Sequence, residues 1–301
     1  MKTIFFPKSM RLLLLAFIVS SCFQIRMNDR QIQNLFATNT TYQPLIKRYT
    51  VQNRTMRYVE AGKDTNVLVV FIHGSPGSIK TVSHAISNQS LLEKFKVIAM
   101  DKPGYGFSDF GIVETSLEKQ VALIKPILED NRPCYEKIIV VGSSYGGSLA
   151  ARLAMDSPDL VDGLVFSAAS LAPYEEKVYG ISHLIKLKFF KWMAPITLQM
   201  ANDEKLAHAD ELRNMIPLWK NITVPVILLQ GEADDLIFPG NADFAEKMLV
   251  NAPTEIIRLP KQSHLILYEH PELVLDAVER LVPQTQDFLT RRLSDKTMHE
   301  K

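Results

Sequence analysis

A strand-like run from Lys137 to Gly142 passes into Gly142-Ser143-Ser144-Tyr145-Gly146-Gly147, and a helical pattern begins at once with Ser148-Leu149-Ala150. A chain that changes from strand to helix within so few residues turns too sharply for ordinary side chains. Gly142 and Gly146 leave the backbone room, and Ser144 is pushed outward at the helix N-terminus. The spacing Gly142-x-Ser144-x-Gly146 selects Ser144 over its neighbour Ser143 as the exposed hydroxyl, a candidate nucleophile. On these residues alone a second reading stays open, a glycine-rich turn that serves only close helix–strand packing.

The rest of the chain restricts the setting of this turn. Short β-rich runs recur at Val67 to Ile72, Lys96 to Met100, Lys137 to Gly142, Gly163 to Ser167, Pro225 to Gln230 and Glu255 to Leu259. They are mostly continuous apolar runs, as strands buried on both faces require. Helical patterns lie between them at 115–130, which opens with Thr115 and Glu118 in capping-box spacing, and at 144–156, 240–250 and 271–282. The alternation predicts an α/β fold with a mainly parallel sheet and helices on both faces. Its core is expected over 46–170 and 223–287, followed by a charged tail at 288–301.

Residues 171–222 break the rhythm, with no clear strand. Leu184, Ile185, Leu187, Phe189, Phe190, Trp192 and Met193 are interleaved there with Lys186, Lys188 and Lys191. This segment reads as a small helical cap over the carboxyl edge of the sheet. Its apolar cluster fits an acyl pocket or plain packing onto the body, and the lysines also allow contact with a membrane surface. The acids Glu175, Glu176, Asp203, Glu204, Asp210 and Glu211 read as a solvated helix face.

Composition narrows the function classes. Across 301 residues, 34 Lys plus Arg stand against 33 Asp plus Glu, for a net charge of +1, so the basic domain expected of a nucleic-acid binder is missing. With 47% hydrophobic and 22% charged residues the chain can bury a sizeable core. Its 2 cysteines, Cys22 and Cys134, offer neither a disulfide framework nor a metal pair. Cys134 reads as a free structural thiol.

At the N-terminus, Lys2, Lys8 and Arg11 precede the apolar run Leu12 to Val19, and Ser20, Ser21 and Cys22 follow. A basic start, a short apolar run and small residues read as a secretory signal over 1–21. The uncharged stretch, Leu12 to Ile25, is shorter than the roughly 18 residues of a spanning helix, and an uncleaved anchor is the alternative. Val19-Ser20-Ser21-Cys22 resembles the bacterial lipoprotein box. That resemblance implies lipidation of Cys22 and a membrane as partner. With Phe23 next, it implies the outer membrane of a bacterial cell envelope, facing the periplasm or the surface. Residues 22–45, polar and Asn/Gln/Thr-rich, then read as a lipidated tether.

Other strand ends carry chemistry that a serine nucleophile needs. His73-Gly74-Ser75-Pro76-Gly77 follows the Val67 to Ile72 run. Backbone N–H groups in such a loop stabilise negative charge on a former carbonyl oxygen. Pro76 has no N–H, so Ser75 is the expected donor, paired with Tyr145 after the nucleophile. His73 reads as a positioning residue of the loop. A base and an orienting carboxylate must come from elsewhere. Gly231 to Pro239 holds Asp234 and Asp235, and Pro260-Lys261-Gln262-Ser263 leads to His264. Both follow strands, where ligand sites of open α/β sheets lie. Singly, His264 fits a surface histidine and Asp234 a helix cap.

Taken together, residues from about 55 to 285 resemble the α/β-hydrolase superfamily. The matching pieces are His73 to Gly77, Asp101-Lys102-Pro103-Gly104-Tyr105-Gly106-Phe107-Ser108-Asp109, the turn at Ser144, Gly231 to Pro239, and Ser263-His264 followed by Glu269-His270-Pro271-Glu272. Lys102 departs from the arginine that relatives often carry. The resemblance implies the α/β-hydrolase fold and a triad of Ser144, His264 and Asp234, with Asp235 as the reserve acid because Pro239 stands one place late. It implies an acyl-enzyme mechanism on a small-molecule acyl substrate, esterase-like, with no metal or organic cofactor and no nucleic-acid partner. Serine rather than aspartate at the turn argues against haloalkane dehalogenase and epoxide hydrolase chemistry, which use a carboxylate nucleophile. Amidase or aminopeptidase, carbon–carbon hydrolase and perhydrolase activities share these motifs. A non-catalytic binding lipoprotein is the alternative from another class.

Overall fold

In the computed structural model, which describes residues 25–37, 41–185 and 187–299 (the backbone alone at 181, 184, 188–190 and 286–299), eight strands form one sheet. They are β1 (Leu45–Val51), β2 (Arg54–Gly62), β3 (Val67–Ile72), β4 (Lys96–Met100), β5 (Lys137–Ser143), β6 (Gly163–Ser167), β7 (Val226–Gly231) and β8 (Thr254–Leu259). The spatial order is β1-β2-β4-β3-β5-β6-β7-β8. β2 runs antiparallel to both neighbours, and β3 to β8 are parallel.

The parallel strands are continuous apolar runs because both sheet faces are covered. Along β3, Leu68, Val70 and Ile72 face the helices Leu117–Asn131 and Tyr145–Asp156, while Val67, Val69 and Phe71 face the side packed by Ile32, Val274 and Val278. β3 lies between β4 and β5, so the chain leaves β3 in one direction across the sheet and later resumes on its other side. That reversal opens a crevice beyond the carboxyl ends of β3 and β5. The loop from His73 and the turn at Ser144 both emerge there.

Three boundaries differ from the sequence reading. The hairpin of β1 and β2 begins at Leu45, inside the expected tether, and its turn residues Gln52 and Asn53 both have positive φ, 49° and 60°, as a tight two-residue hairpin requires. Its charges hid it: Lys47 pairs with Glu60 at 2.7 Å, and the fully buried Arg57 pairs with Asp101. The expected tether also carries a helix, Asp29–Leu35, capped reciprocally by Asn28 and Gln31, which buries Ile32, and Phe36 follows in the core. The last helix, Pro271–His299, runs on through the expected tail. At the first helical pattern, 115–130, Ser116, rather than Thr115, supplies the cap.

Residues 171–222 form the expected helical segment, with helices Gly180–Ile185, Lys188–Met193 and Ile196–Met215 and a 3-10 turn at Ile216–Asn221. The signal segment and Cys22 lie outside the described residues. Among the described residues no helix is long and apolar enough to cross a membrane.

Candidate active site

Ser144 sits between β5 and the helix Tyr145–Asp156 with φ 54° and ψ −126°, a conformation rare for a residue with a side chain. The turn holds because the surroundings over-determine it. Ser144 N–H donates to Ser167 O at 3.1 Å, and Ser144 O accepts from Ser170 N–H at 3.0 Å. A Cβ on Gly142 would stand 2.6 Å from Gly146 O, and one on Gly146 would stand 2.2 Å from Ile72 O. Those contacts are the tertiary reason for both glycines.

The loop after β3 meets the serine directly. A Cβ on Gly74 would lie 2.9 Å from Ser144 Cβ, so the absence of a side chain there makes room for the hydroxyl. Ser75 and Tyr145 line the same cavity as Ser144, and among the described residues neither amide has a protein acceptor. Both amides are therefore free to serve a ligand oxygen. His73 is no base. Its Nε2 accepts from Lys102 N–H at 3.0 Å and its Nδ1 donates to Gly74 O at 2.8 Å. Burial first, then the Lys102 charge, holds it neutral.

Asp234 is buried at the end of β7. Its Oδ1 accepts the amides of Leu236 and Ile237, each at 2.9 Å, and its Oδ2 is 2.9 Å from His264 Nδ1. A carboxylate only accepts, so Nδ1 carries the proton and Nε2 of the neutral ring is left as the base. The reserve acid Asp235 is turned away: its side chain is 77% exposed and pairs with Lys177 at 3.1 Å. Gly231 brings the two loops together, since a Cβ there would be 2.4 Å from Gln262 O. Among the described residues no hydrogen bond joins Ser144 Oγ to His264. Both line a cavity of about 600 Å³ and a second of about 240 Å³, and such bonds commonly tighten only with substrate.

Two buried networks, absent from the sequence reading, stand behind these groups. Glu204 and Glu176 had read as part of a solvated face, but both are buried. Glu204, from the helix Ile196–Met215, bonds Lys102 Nζ at 3.2 Å and accepts from Tyr105 OH at 2.8 Å. Tyr105 spends its proton on Glu204, so Ser75 Oγ donates to Tyr105 OH at 2.9 Å. Gln120 donates to Tyr145 OH at 2.9 Å, and Lys102 Nζ lies 4.0 Å from the centre of the Tyr145 ring. The side chains of both oxyanion candidates thus lead back to one carboxylate of the cap.

In the second network, Ser148 Oγ donates to Ser170 O, which leaves His208 Nε2 to donate to Ser148 Oγ at 2.8 Å. His208 Nδ1 faces Glu176 Oε1 at 3.1 Å, and Lys205 Nζ is 2.9 Å from Glu176 Oε2. His208 thus bridges Ser148 and Glu176. Burial alone would raise the Glu176 carboxyl, but the His208 bond and charge and the Lys205 ammonium outweigh it and bring the pKa down to about 2. The His208 ring packs on Tyr145, 4.5 Å between centres.

Comparison with known proteins bears on the fold. A family model described as the α/β-hydrolase fold matches residues 67–186. Epoxide hydrolase 1 of Caenorhabditis elegans is 30% identical over 112 residues, 36% of this chain but only 27% of that protein's length. The pimeloyl-[acyl-carrier protein] methyl ester esterase of Nitrosospira multiformis is 21% identical over 64% of this chain and 87% of its own. The crystal structure of a haloalkane dehalogenase loop variant from Bradyrhizobium elkanii superimposes with a TM-score of 0.66 at 18% identity, covering 83% of this chain and 100% of that one. The chain has the α/β-hydrolase fold, with esterases and epoxide hydrolases among its relatives.

Proposed function

We propose that this chain is a serine hydrolase that cleaves a carboxylic ester through an acyl-enzyme. The observation that carries the reading is the 2.9 Å bond between His264 Nδ1 and Asp234, which leaves Nε2 facing the cavity that Ser144 also lines. Ser144 Oγ attacks the carbonyl carbon and its proton passes to His264 Nε2. The amides of Ser75 and Tyr145 receive the oxyanion. The alcohol then leaves with the proton from His264. Water, deprotonated by the same nitrogen, attacks the acyl carbon and releases the acid, restoring the Ser144 hydroxyl. Asp234 keeps the imidazole in the required tautomer and steadies its charged form.

Ile185, Leu198, Ala201, Leu236 and Ile237 make the cavity largely apolar, which suits an acyl chain. The epoxide hydrolases among the relatives match from 36% to 72% of the chain, but Ser144 provides a hydroxyl in place of the carboxylate nucleophile of that chemistry. We further infer that Cys22 is lipidated and ties the enzyme to a bacterial membrane.

The test is hydrolysis of p-nitrophenyl esters of rising acyl length by the full chain and by Ser144→Ala, with fluorophosphonate labelling alongside. Loss of the nucleophile in such a triad costs about a millionfold, so the variant should fall to background and lose its label. A folded wild type that neither labels nor hydrolyses any ester would overturn the reading and direct attention to amide or carbon–carbon substrates.

A further inference from the structure

We propose that the cap face around the mouth of the Ser144 cavity docks on a lipid bilayer, and that the ester is taken from that bilayer. The substrate part of this inference rests on the hydrolase reading; the docking part does not. Tyr179, Leu187, Trp192, Met193 and Ile196 of the cap, with Ile112 beside it, are 46 to 80% exposed, and Trp192 is the most exposed of them. Scattered apolar residues are ordinary on a surface, but so many exposed on one short segment, with Tyr179 among them lining the cavity, mark an interaction site. Trp and Tyr suit the boundary between water and lipid, with an apolar ring and a polar tip.

The cluster is continuous with the cavity. Tyr179 lines it together with Ile185 and Leu198. On the other flank Ile196 reaches Gly111, where a Cβ would stand 3.2 Å from Ile196 Cδ1, and Ile112 comes next.

The chain itself selects a membrane as the occupant. Arg26 stacks on Phe107 and Phe110, 4.2 Å from each ring centre, and donates to Gly106 O at 2.7 Å. The N-terminal segment is thereby pinned on the loop that leads through Phe110 to Gly111, the residue that meets Ile196. The apolar run Leu12 to Val19 ends six residues before Ile25, a span of at most about 20 Å of chain. An anchor in that run, or a lipid on Cys22, holds the exposed cluster toward the bilayer rather than away from it. The charges of Lys177 and Lys191 are already met by Asp235 and Asp203. Insertion of Trp192 and its aliphatic neighbours is the source of affinity, so a zwitterionic bilayer suffices.

The protein contains two tryptophans, and the other, Trp219, is buried. Full-length protein reconstituted into phosphatidylcholine vesicles, with and without brominated acyl chains, should show a blue-shifted, bromine-quenched emission that disappears in Trp192→Phe. In Leu187→Ser/Trp192→Ser, hydrolysis of a vesicle-borne ester should fall at least about tenfold while that of soluble p-nitrophenyl butyrate stays within about twofold. Emission from Trp192 that stays water-like and unquenched on vesicles overturns the proposal. So does a dimer in detergent that buries Trp192 between two copies. Quenching without Ser144-dependent hydrolysis would sink the hydrolase reading and leave the docking surface standing.

Discussion

Glu204 Oε1 lies 3.2 Å from Lys102 Nζ, and neither side chain has any contact with solvent. One comes from the cap and the other from the loop after β4, so an ion pair removed from water joins the two parts of the molecule behind the candidate oxyanion amides. Tyr105 carries the link to Ser75, and the Lys102 ammonium packs on Tyr145. The cap therefore does more than cover the cavity: its carboxylate fixes the loops from which both candidate donors extend.

Removing one partner should be far costlier than removing both. Glu204→Gln leaves Lys102 charged and buried, which typically costs about 3–5 kcal/mol of stability. Thermal denaturation should show that loss, and kcat should fall more than KM rises, because the donors act on the oxyanion rather than on bound ester. Lys102→Met combined with Glu204→Leu should recover much of the melting temperature without recovering kcat. Equal recovery of both would reduce the pair to a structural role.

The two adjacent acids should behave oppositely. Asp234→Asn leaves His264 without a fixed tautomer, and kcat should drop by about ten-thousandfold. Asp235→Asn, which releases only an exposed bond to Lys177, should stay within about twofold, the scale of a surface pair. A large loss from Asp235→Asn would reassign the acid.

Glu176 predicts an acid-side signature. Its carboxyl titrates at about 2 in the folded protein against an ordinary value of 4.5, so its bonds to His208 and Lys205 stabilise the fold fully above pH 4.5. That stabilisation is lost as pH falls from 4.5 toward 2. Glu176→Gln should melt below the wild type at neutral pH, and the gap should narrow through this window. A pH-independent gap would mean the carboxylate charge is not what stabilises.

Gly74→Ala should damage catalysis more than folding. The new Cβ would press on Ser144 Cβ at 2.9 Å, so the hydroxyl shifts while the sheet is untouched. A loss of about a hundredfold in kcat with little change in melting temperature is expected, since small misplacements of reacting groups carry penalties of that size. Unchanged kinetics would show that the loop gives way freely.

The parallel strands, the sharp turn at Ser144, the loop at His73 and the order of Ser144, Asp234 and His264 were all legible in the sequence. Each depends on local rules: continuous apolar runs for strands covered on both faces, and glycines where a backbone must turn or approach closely. The choice between Asp234 and Asp235 was not local. Both follow Gly231 in the same acidic loop, and only the packing of β7 against the His264 loop turns one inward. The hairpin at Leu45 to Gly62 was hidden because its strands carry charges, neutralised for Lys47 by Glu60 within the hairpin and for Arg57 by the distant Asp101.

The cap shows the limit most clearly. Met200, Glu204, His208 and Leu212 recur every fourth residue and form the buried stripe of the helix Ile196–Met215. Two of the four are ionisable, so a pattern that equates burial with apolarity reads that stripe as solvated. By itself the sequence determined the fold class and singled out Ser144 and His264 as candidate nucleophile and base, because local backbone geometry and strand patterning need only near neighbours. Tertiary structure alone decided which acid serves His264 and that Glu204 and Glu176 are buried, because a charge can leave water only where distant segments bring it a partner.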